Sequence, residues 1–175
     1  MEFNFDFVQI LGFLGVFLNL MIYQQKTPTR VRVNKIVANG VWAIHYFFLD
    51  AFTATGIAIV GMISTAVFMK VDPKSRMGKA CLGFFIVINI ISGILTWNTA
   101  ISLIAMAAAI ISSISFFIGV PKYTRRFALV ISACMGTYGF LNGSIASVVN
   151  EILTVISTVS GIIRLDIKKE KKDEE

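Results

Sequence analysis

Glu151 is the residue whose type and setting most suggest chemistry. It lies beside Asn150, about a third of the way into the apolar segment 144–163. A carboxylate deep in a bilayer costs on the order of 2.5–3.5 kcal/mol on insertion scales, so such a group faces a cavity or a partner. On a central path it would bind a proton, a cation or a polar substrate. Protonated, or capped by a neighbouring hydroxyl, it would only lock helices together.

His45 is the single histidine. It could act as a proton-sensitive gate or a substrate donor, or sit hydrogen-bonded at the membrane interface. Trp42 could stack on a ligand, whereas Trp97 fits an outer aromatic belt. Asn89 and Asn19 are intramembrane amides of the kind that join helices. With Tyr46 and Tyr138, the candidate pathway set is Glu151, Asn150, His45, Tyr46, Tyr138, Trp42 and Asn89. No GxSxG, HExxH or P-loop occurs, and one histidine makes no metal cluster. The expectation is a non-enzyme with no cofactor and no metal. Cys81 and Cys134 form no metal spacing and read as small packing residues.

The elements that position these residues follow from composition. Hydrophobic residues make up 56% of the 175 and charged residues 15%. An ordinary globular domain carries about 25% charged residues, so lipid must solvate much of this chain. A spanning helix needs about 20 mostly apolar residues. Seven segments qualify: 5–23, 34–49, 52–69, 80–97, 100–120, 127–141 and 144–163, the second and sixth being short. The runs do not alternate as barrel strands do, so helices are the remaining solution to backbone pairing in hydrocarbon. The N-terminus is acidic and no cleavage site follows the first apolar run, so that run is expected to stay as a helix.

All 16 Lys and Arg fall in four clusters, after segments one, three, five and seven. Basic loops stay cytoplasmic, so the N-terminus is expected outside and the C-terminus inside. That pattern excludes nucleic acid as the reason for the net charge of +6. The tail RLDIKKEKKDEE reads as a frayed, solvated end. An internal repeat is also visible. HYFFLDAFTA at 45–54 matches TYGFLNGSIA at 137–146 at an offset of 92, and Pro28 matches Pro121 at 93. The expected fold is therefore all-α integral membrane, seven transmembrane helices arranged 3+1+3 as parallel triple-helix repeats. The units would be 1–69, a connector at 70–98, 99–164 and a charged tail at 165–175.

This arrangement resembles the SWEET, semiSWEET and PQ-loop superfamily. The chain looks closer still to the YgjV family of bacterial inner-membrane proteins. His45-Tyr46-Phe47-Phe48-Leu49 carries that likeness, as do Gly143-Ser144-Ile145, Glu151 and Ile162-Ile163-Arg164. The resemblance implies a multi-pass protein of the bacterial cytoplasmic (inner) membrane. The chain departs from the pattern at Gly61 and Ser64, where Asn and Arg are expected, and it lacks a Pro-Gln pair. Pro28, Pro73 and Pro121 lie in loops or at helix ends, which argues against the mid-helix proline hinges of sugar-transporting SWEETs.

Two functions follow. One is a small polar-solute transporter or binding channel with its pathway between two three-helix bundles. Its partners would be lipid and a small polar solute or proton, and it would act as a monomer or homodimer. The other is a non-transporting scaffold or accessory subunit that holds a protein partner.

Overall fold

The seven apolar segments are seven helices. A computed structural model describes residues 7–48, 52–95, 102–141 and 145–167, and these form no strand. The helices are α1 (Phe7–Ile22), α2 (Pro28–Phe48), α3 (Phe52–Lys70), α4 (Arg76–Leu95), α5 (Ser102–Ile118), α6 (Pro121–Leu141) and α7 (Ile145–Gly161). A π-helical turn, Ile162–Ile167, continues α7. The Asp50 turn, TWNT, most of LNGS, the acidic N-terminus and residues 168–175 lie outside the described residues, as does the Tyr46 side chain.

Two expectations about length are corrected. α2 and α6 are not short; each has 21 residues, about 31 Å at 1.5 Å per residue. Hydropathy ends both segments at their charges, but the helix runs on through them. Each begins on a proline, which suits the first helical position because its missing N–H would be unpaired there anyway. Thr27 Oγ1 accepts from the Arg30 amide at 3.4 Å and caps α2. Ser75 Oγ accepts from the Gly78 amide at 2.9 Å and caps α4. Gly119, at φ 66°, ends α5 in the left-handed conformation usual at that place.

α2 packs on α1 and α3, and α6 on α5 and α7. α4 lies mainly along α5 and touches α3 less. Two further seams close the bundle, α1 with α7 and α3 with α5. Short connections bring the C-terminal ends of α1, α3, α5 and α7 and the N-terminal ends of α2, α4 and α6 to one end of the bundle. Every described Lys and Arg lies at or near this basic end. The apolar core sits there too: Phe68 makes edge-on contacts with Phe85 and Phe117 at 5.5 and 5.3 Å, around Ile22, Val31 and Phe116.

The molecule is inside-out relative to a protein dissolved in water. Buried side chains among the described residues include nine polar or charged ones against eleven apolar ones. The exposed face carries large apolar groups instead: Phe13, Phe17, Phe84, Ile94, Ile152 and Ile156 are all more than half exposed. Burying that many polar groups while exposing Phe and Ile is favourable only where the solvent is hydrocarbon. α4 and the stretch Val148–Ile167 are each long and apolar enough to cross a membrane.

Candidate functional site

α7 carries a polar stripe on an apolar helix. Asn150, Thr154 and Thr158 are four residues apart and share one face. Thr154 and Thr158 are buried, Thr158 completely. Asn150 Oδ1 and the hydroxyls of Thr154 and Thr158 have no hydrogen-bond partner among the described residues. Such atoms each call for an explanation, because burying an unpaired hydroxyl or amide costs about 1–3 kcal/mol. The Ser115 hydroxyl on α5 is buried and unpaired as well.

Glu151 stands at the head of this stripe. Asn150 Nδ2 donates to Glu151 Oε1 at 3.3 Å, and the Ser132 hydroxyl on α6 donates to the same carboxyl group. Gly136, one turn further along α6, packs against the Glu151 stem: a Cβ there would lie 3.6 Å from that of Glu151, an ordinary contact. Lys35 on α2 and Tyr23 after α1 lie within electrostatic reach of the carboxyl group. The Lys35 ammonium stands 5.3 Å from the centroid of the Phe116 ring. A carboxyl group on α7, a lysine on α2 and a phenol after α1 thus lie within electrostatic reach of one another.

Toward the basic end the stripe meets a clasp. Gly161 abuts the end of α1; a Cβ there would lie 2.5 Å from Tyr23 O and 3.0 Å from Arg125 Cδ. Arg125 is buried. Its Nη1 donates to Gln25 O at 3.0 Å and to Tyr23 O at 3.5 Å, and its Nε and Nη2 grip the Asp166 carboxylate. Asp166 belongs to the π-helical turn and is itself only 8% exposed. Gln24 Nε2 donates to Ser157 O and Oγ at 2.6 and 3.0 Å, and Ser157 Oγ donates to Leu20 O at 2.8 Å. Arg164 donates to Gln24 Oε1. The start of the tail is therefore docked, which corrects its reading as frayed. Arg125 is likewise a buried structural residue, not part of a loop.

Arg32 does corresponding work between α2 and α5. From α2 its Nε donates to Phe116 O at 3.0 Å and its Nη2 to Phe117 O at 2.9 Å, closing the C-terminal carbonyls of α5. Its guanidinium rests on Gly119, where any Cβ would collide with it.

The other candidates sit apart from Glu151. His45 Nδ1 donates to Val8 O at 2.8 Å and its ring meets Trp42 edge-on at 5.4 Å. Gly12 and Gly15 let α1 approach these rings closely. Lys35 and His45 are ten residues apart on α2, roughly 15 Å along the axis, so His45 and Trp42 form a separate cluster toward the end of the bundle opposite the basic one. Asn89 Nδ2 donates to Ser113 Oγ at 2.9 Å and ties α4 to α5. Tyr138 is half-buried on α6.

Sequence reasoning singled out Glu151 and Asn150 but passed over Arg32, Lys35, Arg125, Ser132, Thr154, Thr158 and Asp166. A signal for several of them exists. Pro-x-x-x-Arg occurs at 28–32 and 121–125, and Ile-Ser-Thr at 63–65 and 156–158, both 93 residues apart.

Neither a curated protein nor a solved structure matches the chain. A family model does: the one for Imp-YgjV, described as a bacterial inner membrane protein, matches residues 6–169. With nearly the whole chain matched and a lipid-adapted exterior, the chain belongs to the Imp-YgjV family of bacterial inner membrane proteins.

Proposed function

We propose that this protein carries a small polar solute or protons across the inner membrane, along α7 and between two three-helix units. The observation that carries this reading is the stripe of unpaired buried atoms that runs from Asn150 through Thr154 to Thr158 below Glu151. A helix that merely joined others would close those valences with neighbours, as Asn89 does with Ser113. Open valences in a row suit a file of waters or a polar solute, with Glu151 as the ionisable group that binds it or passes a proton.

The two-unit plan is supported by reciprocity at the basic end. Arg32 and Arg125 occupy equivalent places 93 residues apart, each in the first turns of a proline-started helix. Each reaches across to the end of the first helix of the other unit. The seams α1–α7 and α3–α5 exchange in the same way. The repeated Ile-Ser-Thr falls on the third helix of each unit. On this plan α4 is the inverting connector, both units run in the same sense, and rocking one against the other would alternate access. The basic end faces the cytoplasm by the positive-inside rule, which puts the C-terminus inside and the N-terminus outside.

Thiol accessibility tests the path. Cys81 and Cys134 are first replaced, and single cysteines are placed at 151, 154 and, facing lipid, 152. A small water-soluble maleimide is applied to intact cells and to inverted vesicles. Labelling at 151 and 154 but not at 152 is expected. Equal failure at all three would mean a dry, structural carboxyl group and would favour the scaffold reading.

A further inference from the structure

The two arginines are equivalent in place but not in bonding, and the difference has a mechanical meaning. Arg32 is satisfied by two helix-end carbonyls of α5 and is seated on a glycine that admits no side chain. Both acceptors are backbone carbonyls of the last turn of α5, fixed in place by the helix they belong to. Arg125 makes one firm carbonyl contact, to Gln25, which lies in a connection and not in a helix. Its other two donors are taken by Asp166, a side chain on a six-residue π-helical turn at the end of the described chain. π-helical turns are rare and frequently lie at functional sites. Around this turn Arg164 meets Gln24 side chain to side chain, while one turn earlier Gln24 and Ser157 also reach the backbone carbonyls of Ser157 and Leu20.

We infer that the Asp166–Arg125 pair, carried by the π-helical turn 162–167, is a releasable latch. Through Arg125 it ties the end of α7 to the end of α1 at the basic end, while the Arg32 cap keeps α2 on the end of α5 as a fixed hinge. The placement supports this: Gly161 and Arg125 close the basic end of the Asn150–Thr154–Thr158 stripe. Releasing Asp166 removes the bridge that Arg125 makes between the end of α7 and the carbonyls of Tyr23 and Gln25, leaves that seam held by Gln24, Ser157 and Arg164, and loosens it enough to open the stripe to the cytoplasm on that side. The latch rests on the proposed path, and its test separates the two.

The reporter is a single cysteine at position 154 in a background without Cys81 and Cys134, labelled in inverted vesicles with a membrane-impermeant maleimide. Asp166→Asn keeps the size of the side chain and removes its charge. It is expected to speed labelling at 154 at least tenfold, whereas Asp166→Glu keeps the rate near that of the parent. A second arrangement covers the case in which Asp166→Asn does not fold. Leu20 and Ser157 touch across the α1–α7 seam, and a disulfide between cysteines at these two positions is expected to reduce cytoplasmic labelling at 154 to background. Unchanged labelling in Asp166→Asn and in the crosslinked form overturns the latch. If cysteine at 151 still labels from the opposite side, the path stands without it. Absence of labelling at 151 and 154 from both sides in every variant overturns path and latch together.

Discussion

Gly119→Ala offers the most demanding test of the cap that Arg32 places on α5. Gly119 has a φ of 66°, and placing a residue with a Cβ in that region costs roughly 1–2 kcal/mol. The new methyl would also meet the Arg32 guanidinium, 2.8 Å from Nε even before the nearer atoms are considered. The contact is with the fork that holds Phe116 O and Phe117 O. Moving the fork breaks two charge-assisted bonds, each worth about 1.5–3 kcal/mol in a water-soluble protein and about 0.6–1.7 kcal/mol on the scale measured inside membranes. With two bonds lost on the membrane scale, the substitution is expected to destabilise the protein by about 2–5 kcal/mol in all. Arg32→Met loses the bonds without the φ penalty. The two effects share one interaction, so they cannot add: the double variant is expected to fall only about 1–2 kcal/mol below Arg32→Met alone. Equilibrium unfolding of detergent-solubilised protein, read by far-UV circular dichroism, measures all four corners of the cycle. Additive losses would show that Gly119 and Arg32 act separately and would refute the seating of the guanidinium on the glycine.

Other consequences are simpler. Gly15→Leu would drive a side chain into the Trp42 ring, whose Cε2 lies 2.8 Å from the first added atom; overpacking of this kind costs about 1–3 kcal/mol, seen as a lowered thermal midpoint and increased exposure of Trp42 to a fluorescence quencher. Asn89→Ala is expected to loosen α4 from α5 by about 0.6 kcal/mol and Ser113→Ala by the same amount, with no further loss in the double variant, because one hydrogen bond is removed in each case. Glu151→Gln retains the neutral contacts to Ser132 and Asn150, so stability should change by less than about 1 kcal/mol, while any solute or proton flux in proteoliposomes is abolished; unaltered flux would remove Glu151 from the path.

The helix count was legible because seven long apolar runs need no tertiary information, only the requirement that backbone in hydrocarbon pair with itself. Helix starts were less legible. A hydropathy reading stops at Arg32 and Arg125, although Pro28 and Pro121 mark where α2 and α6 begin. The arginines themselves were taken as loop charges, because whether an arginine is buried depends on acceptors about 85 and 100 residues away, at Phe116 and Phe117 or at Gln25. No window along the chain contains those partners. The expected repeat rests on spacing in the sequence. Its prolines align at 93 residues, but the aromatic turns suggest 92, and only the identical Ile-Ser-Thr and Pro-x-x-x-Arg runs support the first value. Glu151 stood out because a carboxylate in an apolar run is conspicuous. Thr154 and Thr158 did not, because threonine in a membrane helix is ordinary unless its hydroxyl is known to lack a partner.

On the proposed path, that last distinction is what separates polar groups that join helices from polar groups that line the way. Arg32, Arg125 and Asn89 are each closed by named acceptors, and such closed sets hold helices together. Asn150, Thr154, Thr158 and Ser115 are buried with a valence open. In hydrocarbon no lipid group can fill it, so each open valence lowers stability unless water or a solute enters. Three of the four lie in line beneath a carboxyl group and end at a clasp whose strongest contact is a side-chain ion pair. Stability alone would replace those threonines with valine, which has the same shape and no hydroxyl. Thr154→Val together with Thr158→Val is accordingly expected to raise the thermal midpoint of the purified protein. It should also slow maleimide labelling at position 151 from the cytoplasmic side. A more stable protein that labels at the parental rate would leave the hydroxyls without a part in the path.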